Sequence, residues 1–245
     1  MATRLRYPLN VFPDHAAMSF AVARAFVKAA SARARFTIAL SGGGTPQRLY
    51  HLLATEFREQ VPWERVHLFW SDERYVAPDH PASNVGMVRK ELLEGVPMPE
   101  ANVHAPRTDL IDPDEAARLY ENDIRRSLGA EPSFDWVLLG LGDDGHVASL
   151  FPGSAAVDER DHLVVAVRDS PKPPPVRLTM TPPLISLSRE IHMLVAGASK
   201  RHALKELAGK QSATWLRPLT LWVDRDAAFV DDTRRAKHNH SGGAG

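Results

Sequence analysis

The chain has 245 residues, 44% of them hydrophobic, which is enough to bury a sizeable core. Lys+Arg and Asp+Glu both number 30, so the formal net charge is zero; this argues against a nucleic-acid or membrane-surface partner and leaves room for a local basic pocket. There is no cysteine, which excludes disulfides, thiolate chemistry and a cysteine-zinc site, and neither an apolar leader in MATRLRYPLNVFPD nor a long apolar run appears, so a cytoplasmic protein is expected.

Asp14 predicts the N-cap of a helix running to about Ala30, with Ala17, Phe20, Ala21, Phe26 and Val27 at helical spacing. Phe36 to Leu40 is the first buried-strand candidate, and Gln47 to Tyr50 reads as helical. Val66 to Trp70 is the second strand, followed by a helix over Ser83 to Leu93. Asp112-Pro113-Asp114-Glu115 is a strong start signal: an N-cap, proline at the first helical position, and glutamate three residues after the cap. Trp136 to Leu139 is the third clear strand and Ile191 to Ala196 the fourth, with Leu163 to Val167 and Leu219 to Val223 as further candidates. Asp169 to Pro175 reads as a stiff, proline-rich surface loop, and Ser199 to Leu207 as a helix. The tail from about Asp231 is expected to be disordered, with His238 and His240 solvated. Strands alternating with helices predict an α/β fold around a mostly parallel open sheet, as one domain over residues 1–230 with a tail at 231–245.

The four clear strands share one property that packing does not explain. Each ends in a polar or glycine-rich segment: Ser41-Gly42-Gly43-Gly44-Thr45-Pro46, Ser71-Asp72-Glu73-Arg74, Gly140 to His146, and Gly197-Ala198-Ser199-Lys200. Ligands of open α/β sheets bind at the carboxyl ends of the strands, so four such ends are expected to converge on one pocket. Ser41 to Pro46 runs into a helical segment and looks like an anion cradle; it is not a Walker A loop, because the Gly-Lys-Ser/Thr ending is absent.

Gly140-x-Gly142-x-x-Gly145 matches the dinucleotide fingerprint, but Asp143 and Asp144 would set carboxylates against a pyrophosphate. Pro152-Gly153 also leaves no room for the long helix that the fingerprint needs. Asp144-Gly145-His146 is the catalytic candidate instead: a carboxylate two residues from an imidazole fixes its tautomer and raises its basicity. Arg177 interrupts an apolar strand-like run, and Lys200 stands at a helix start where a cation is unfavourable without an anion. Arg74, Arg177, Lys200 and the glycine loop together suit an anionic small molecule, most simply a phosphate.

These segments resemble the 6-phosphogluconolactonases. The matching pieces are Ser41 to Pro46, Asp72-Glu73-Arg74, Ser83-Asn84, Gly142-x-Asp144-Gly145-His146-x-Ala148-Ser149-Leu150-Phe151-Pro152, Arg177-x-Thr179 and Gly197-x-x-Lys200, in the family's order from about residue 10 to about residue 229. The resemblance implies a Rossmann-like α/β domain of the sugar-phosphate isomerase/deaminase type. It implies hydrolysis of 6-phospho-D-glucono-1,5-lactone in the oxidative pentose phosphate pathway, with no cofactor and no required metal. By resemblance His146 is the general base, Asp144 orients it, and Arg74 joins the catalytic set. Ser41, Gly42, Gly43, Gly44, Thr45, Asp72, Arg177 and Lys200 are implied to bind the phosphate and the sugar acid, and the assembly is expected to be a monomer or weak homodimer. Gly44, Asp143 and Val147 depart from the family pattern, where serine, proline and threonine are common.

Glucosamine-6-phosphate deaminases, a sister family, share the glycine loop and the Asp-Gly-His turn, but their turn continues to a glutamate where this chain has Phe151, and tyrosine is typical where it has Arg74. Deamination needs more acid/base groups than lactone hydrolysis, which needs one activated water and a stabilised oxyanion. A third reading is a non-enzymatic sugar-phosphate sensor on the same fold; such sensors normally carry a DNA-binding segment, which is not visible before residue 36.

Overall fold

A computed structural model describes residues 7–209 and 215–228. The tail expected to be disordered from Asp231, with His238 and His240, lies outside the described residues. In chain order the elements are β1 (Leu9–Phe12), α1 (His15–Ser31), β2 (Phe36–Leu40), α2 (Gly44–Ala54), β3 (Val66–Trp70), β4 (Asp72–Arg74) and α3 (Asn84–Glu91). They continue with α4 (Pro113–Leu128), β5 (Trp136–Gly140), β6 (Val164–Val167), β7 (Arg177–Met180), α5 (Pro182–Ser186), β8 (Glu190–Val195), α6 (Arg201–Gly209) and β9 (Leu219–Asp224).

The helix starts follow from their caps. The Asp14 carboxylate accepts the Ala17 N–H at 2.8 Å, Ser83 Oγ accepts the Gly86 N–H at 3.0 Å, and Asp112 accepts the Asp114 N–H at 3.0 Å with Pro113 opening α4. The helix expected over Ser83 to Leu93 is shorter: α3 stops at Glu91 and a 3-10 turn covers Leu93–Gly95.

Six strands form a parallel sheet in the order β1-β9-β8-β5-β2-β3. Both faces are covered, which explains why the strands are predominantly apolar rather than alternating. Alternate residues feed opposite layers: Phe36, Ile38 and Leu40 of β2 join Trp136 and Leu138 of β5 on one side, while Ala39, Val137 and Leu139 join the core on the other. Each fully buried Leu or Ile contributes roughly 1.5–3 kcal/mol.

β2 and β5 lie side by side, with Ile38 beside Trp136. From β2 the chain crosses through α2 to β3 on one side, whereas β5 leads to β8 on the other. The connections diverge between β2 and β5, which opens a crevice at their carboxyl ends. Two buried tyrosines fix the strand ends around it. Tyr50 donates its hydroxyl to the Ser41 carbonyl at 2.6 Å, and Tyr120 Oη accepts the Trp70 N–H at 2.7 Å.

A second, three-stranded antiparallel sheet, β4-β7-β6, is not anticipated by the sequence reading, which takes Asp72-Glu73-Arg74 as a polar strand end. Its register sets Asp72 opposite Thr179 and Arg74 opposite Arg177. This small sheet forms the second wall of the crevice.

Candidate active site

One open cavity of about 160 Å³ is lined by Ser41, Gly42, Gly43, Gly44, Thr45, Asp72, Arg74, His146, Arg177 and Lys200, together with the Gly140 to Gly142 strand end. The structure thus brings every singled-out residue except Asp144 to one surface, and Asp144 stands directly behind His146. The four strand ends do converge.

β4 distributes its three polar residues by strand alternation. Asp72 and Arg74 face the cavity. Glu73 faces the start of α3, where its carboxylate accepts the N–H groups of Asn84 at 2.7 Å and Val85 at 2.6 Å and the Ser83 hydroxyl at 3.1 Å. Burial pushes the Glu73 carboxyl above its ordinary range, against the lowering pull of the N–H donors from Asn84, Val85 and Arg74. Asn84 continues the link: its Nδ2 donates to the Asp72 carbonyl at 2.9 Å, and its amide packs so tightly on Gly42 that a Cβ there would fall 1.8 Å from Oδ1. Only glycine allows that approach.

The glycine loop enters α2 with Gly43 at the cap position, and no side chain among the described residues satisfies the first-turn N–H groups. Those donors and the helix dipole favour an anion. Across the cavity, Arg177 Nε donates to the Pro174 carbonyl at 3.1 Å, and Nη2 donates to the Lys172 and Pro173 carbonyls at 3.0 and 3.3 Å. Nη1 keeps only a 3.5 Å contact to Ser149 Oγ. Burial pushes the guanidinium pKa down, and the Asp72 carboxylate opposes this. Arg74 Nη1 donates to the Ala82 carbonyl at 2.8 Å, and its buried Nε has no partner among the described residues. Arg74 follows two acids in the chain, yet it forms no salt bridge among the described residues.

The catalytic candidate sits on the turn after β5. Asp144 Oδ1 lies 2.5 Å from His146 Nδ1, and also accepts the His146 N–H at 3.2 Å. The backbone folds around the pair, with Gly142 N–H on the His146 carbonyl at 2.8 Å. A Cβ at Gly142 would lie 2.1 Å from His146 Nδ1 and 2.5 Å from Asp144 Oδ1, so glycine is needed for space. Ala148, just beyond, has φ 52, a conformation disfavoured for a residue with a Cβ. Burial opposes ionisation of Asp144, but the hydrogen bonds from His146 and the charges of His146 and Lys172 hold its carboxyl below the ordinary range. With Asp144 on Nδ1, Nε2 is the nitrogen left for a water or substrate.

Three participants escape sequence reasoning. Ser149 Oγ donates to Asp72 Oδ2 at 2.7 Å and fixes that carboxylate. Asn84 bridges β4 and the glycine loop. Lys172, on the proline loop, contacts Asp143 and Asp144. Ser149 and Asn84 stand within the matched motifs, where their polarity in buried company is the only signal.

The family model for glucosamine-6-phosphate isomerases/6-phosphogluconolactonase matches residues 13–229. The chain belongs to this family. A 6-phosphogluconolactonase of Synechocystis is 49% identical over 184 residues, covering 74% of each chain. One of Mycobacterium tuberculosis is 40% identical over 239 residues, covering 90% of this chain and 96% of its own. Among solved structures, the 6-phosphogluconolactonase from Trypanosoma cruzi superposes with a TM-score of 0.80 at 30% identity, covering 91% of this chain and 96% of that one. Within the glucosamine-6-phosphate isomerase/6-phosphogluconolactonase family, the position that separates the two activities by resemblance is held here by Phe151, 3% exposed and packed on the His146 ring. No described helix is long and apolar enough to cross a membrane.

Proposed function

We propose that this chain hydrolyses 6-phospho-D-glucono-1,5-lactone to 6-phospho-D-gluconate, as a cytoplasmic enzyme of the oxidative pentose phosphate pathway, within a single catalytic domain. The observation that carries the reading is the His146–Asp144 pair at the edge of a cavity that also holds Arg74, Arg177, Lys200 and a glycine-rich helix start.

In this mechanism Asp144 keeps the His146 proton on Nδ1. Nε2 takes a proton from a water as that water's oxygen bonds to the lactone carbonyl carbon. The carbonyl becomes an oxyanion, and the fixed cations and N–H groups stabilise it without reorganising. Collapse breaks the bond to the ring oxygen, which takes the proton back from His146. The glycine loop with Arg74, Arg177 and Lys200 holds the phosphate and the acyl end. Orientation within one crevice supplies much of the acceleration.

The test is lactone opening above the spontaneous background by purified protein, wild type against His146→Ala. Equal rates overturn the reading. Ammonia released from glucosamine 6-phosphate would support deamination instead. Binding of 6-phosphogluconate with turnover of neither compound would support a sensor.

A further inference from the structure

The proline loop carries a charge into the catalytic turn. Lys172 Nζ contacts Asp143 Oδ1 and lies 3.5 Å from Asp144 Oδ2, while Asp144 Oδ1 binds His146 Nδ1 at 2.5 Å. One ammonium is therefore shared between two carboxylates, and one of those carboxylates orients the imidazole. The backbone that carries Lys172 is also held in place. Its carbonyl accepts from Ser170 Oγ at 2.8 Å and from Arg177 Nη2 at 3.0 Å, its N–H donates to Ser170 Oγ at 3.3 Å, and four prolines restrict the loop around it. The loop backbone is thus fixed, and only the lysine's own side-chain torsions remain to be ordered when the ammonium meets the two carboxylates.

We propose that Lys172 is a positioning residue that sets how strongly Asp144 holds the His146 imidazolium, with Asp143 as the counter-charge that keeps Lys172 partly off Asp144. This rests on the role of His146 as the general base. An ammonium on the outer oxygen of Asp144 withdraws negative charge from the oxygen facing His146, which favours the neutral, water-activating ring. Asp143 restores part of that negative charge. The other charged groups around the ring are Asp72 and Arg74 from β4, Arg177 from β7 and Lys200 from the turn before α6, with the apolar Phe151 against one face; on the side of Asp143 and Asp144 the facing titratable groups are His202 and Glu206 of α6. The Lys172 pair differs from these in lying behind the dyad, on the outer side of Asp144, rather than lining the cavity. The three side chains are partly solvent-exposed, at 38% for Lys172, 57% for Asp143 and 36% for Asp144, so screening keeps the effect modest.

The experiment uses the full chain in four forms: wild type, Lys172→Met, Asp143→Asn and the double variant. Two readouts are followed, the acid limb of the pH profile of lactone kcat/KM and the NMR titration of the His146 ring proton, assigned by its loss in His146→Ala. Lys172→Met is expected to move both midpoints up by about 0.5 pH unit, and Asp143→Asn to move both down by a similar amount. The double variant is expected to return close to wild type, because the two removed charges cancel. Salt at about 0.5 M should shrink the single-variant shifts. A merely structural role would not produce opposite shifts that cancel. Shifts of one sign, no shift, or a double variant that does not return overturn the proposal. The ring titration reads the resting protein, so failure of this inference can be told apart from failure of the lactonase reading.

Discussion

The Phe151 ring lies 4.6 Å from the His146 imidazole, centroid to centroid. The same ring lies 5.6 Å from the Arg177 guanidinium carbon, so one apolar wall backs both the base and a buried cation. A carboxylate at this position would pair with Arg177 and favour the imidazolium. Phe151→Glu is therefore expected to reduce lactone hydrolysis at neutral pH by about 10-fold or more, with partial recovery at higher pH. It should also lower unfolding free energy by about 3 kcal/mol, through lost packing and a buried charge. Phe151→Leu, which keeps the wall apolar, should remain within a few-fold of wild type. Rate profiles and urea unfolding check both variants.

Gly142 tests the geometry of the dyad with a single methyl group. An added Cβ meets His146 Nδ1 at 2.1 Å and Asp144 Oδ1 at 2.5 Å, so the pair must separate. Gly142→Ala is expected to lower kcat by about 100-fold, the scale of a displacement of about 1 Å. Gly142 is itself buried, so the melting temperature should fall as well, and kcat is to be compared where both proteins are folded. A variant with near-wild-type kcat would show that the close Asp144 contact is not needed.

Arg74 and Arg177 face each other across the β4–β7 ladder, and directly opposed like charges are unfavourable without an anion between them. A phosphate-bearing ligand should relieve this repulsion. Addition of 6-phosphogluconate at about 100 times its dissociation constant is expected to stabilise the fold by about 2.7 kcal/mol. Gluconate without the phosphate should do far less, and Arg177→Met should largely remove the response. Thermal melts with each ligand provide the check.

The main sheet is legible in the sequence because its strands are buried on both faces. Phe36 to Leu40 and Val66 to Trp70 begin and end where predominantly apolar runs do, broken only by Thr37 and His67. β1 and β4 are not legible: one has three half-buried residues and an exposed Val11, and the other is Asp-Glu-Arg, which carries no hydrophobic signal at all. β4 exists because β7 pairs with it more than a hundred positions later in the chain, a non-local contact that periodicity does not report. The cavity-lining residues could be singled out because each breaks an apolar pattern at a strand end. Lys172 breaks no pattern, and its contact with Asp143 spans 29 positions.

His192 gives the fold a pH dependence away from the active site. It is 4% exposed in the central sheet; its Nδ1 accepts from Trp222 Nε1 at 3.0 Å and its ring lies 3.9 Å from that of Trp136. Burial pushes its pKa down to about 4, against 6.5 for the exposed side chain. Between those values the unfolded chain binds a proton that the folded protein does not, so stability rises with pH across this window. The contribution is complete above about pH 6.5 and is lost as pH falls toward 4, amounting to about 3 kcal/mol. His67, also lowered to about 4 by burial and by the nearby Arg35 and His104, adds in the same direction; Glu73, raised by burial, opposes it over the carboxylate range. His192→Asn keeps a polar group for Trp222 and removes the titration. It is expected to be less stable than wild type at pH 7 by about 1–2 kcal/mol. Its unfolding free energy should be flatter between pH 6.5 and 4, and denaturant unfolding across that range measures the difference. An unchanged slope would mean that His192 binds its proton equally in the folded and unfolded states, with Glu190, 3.2 Å from its Nε2, offsetting the effect of burial.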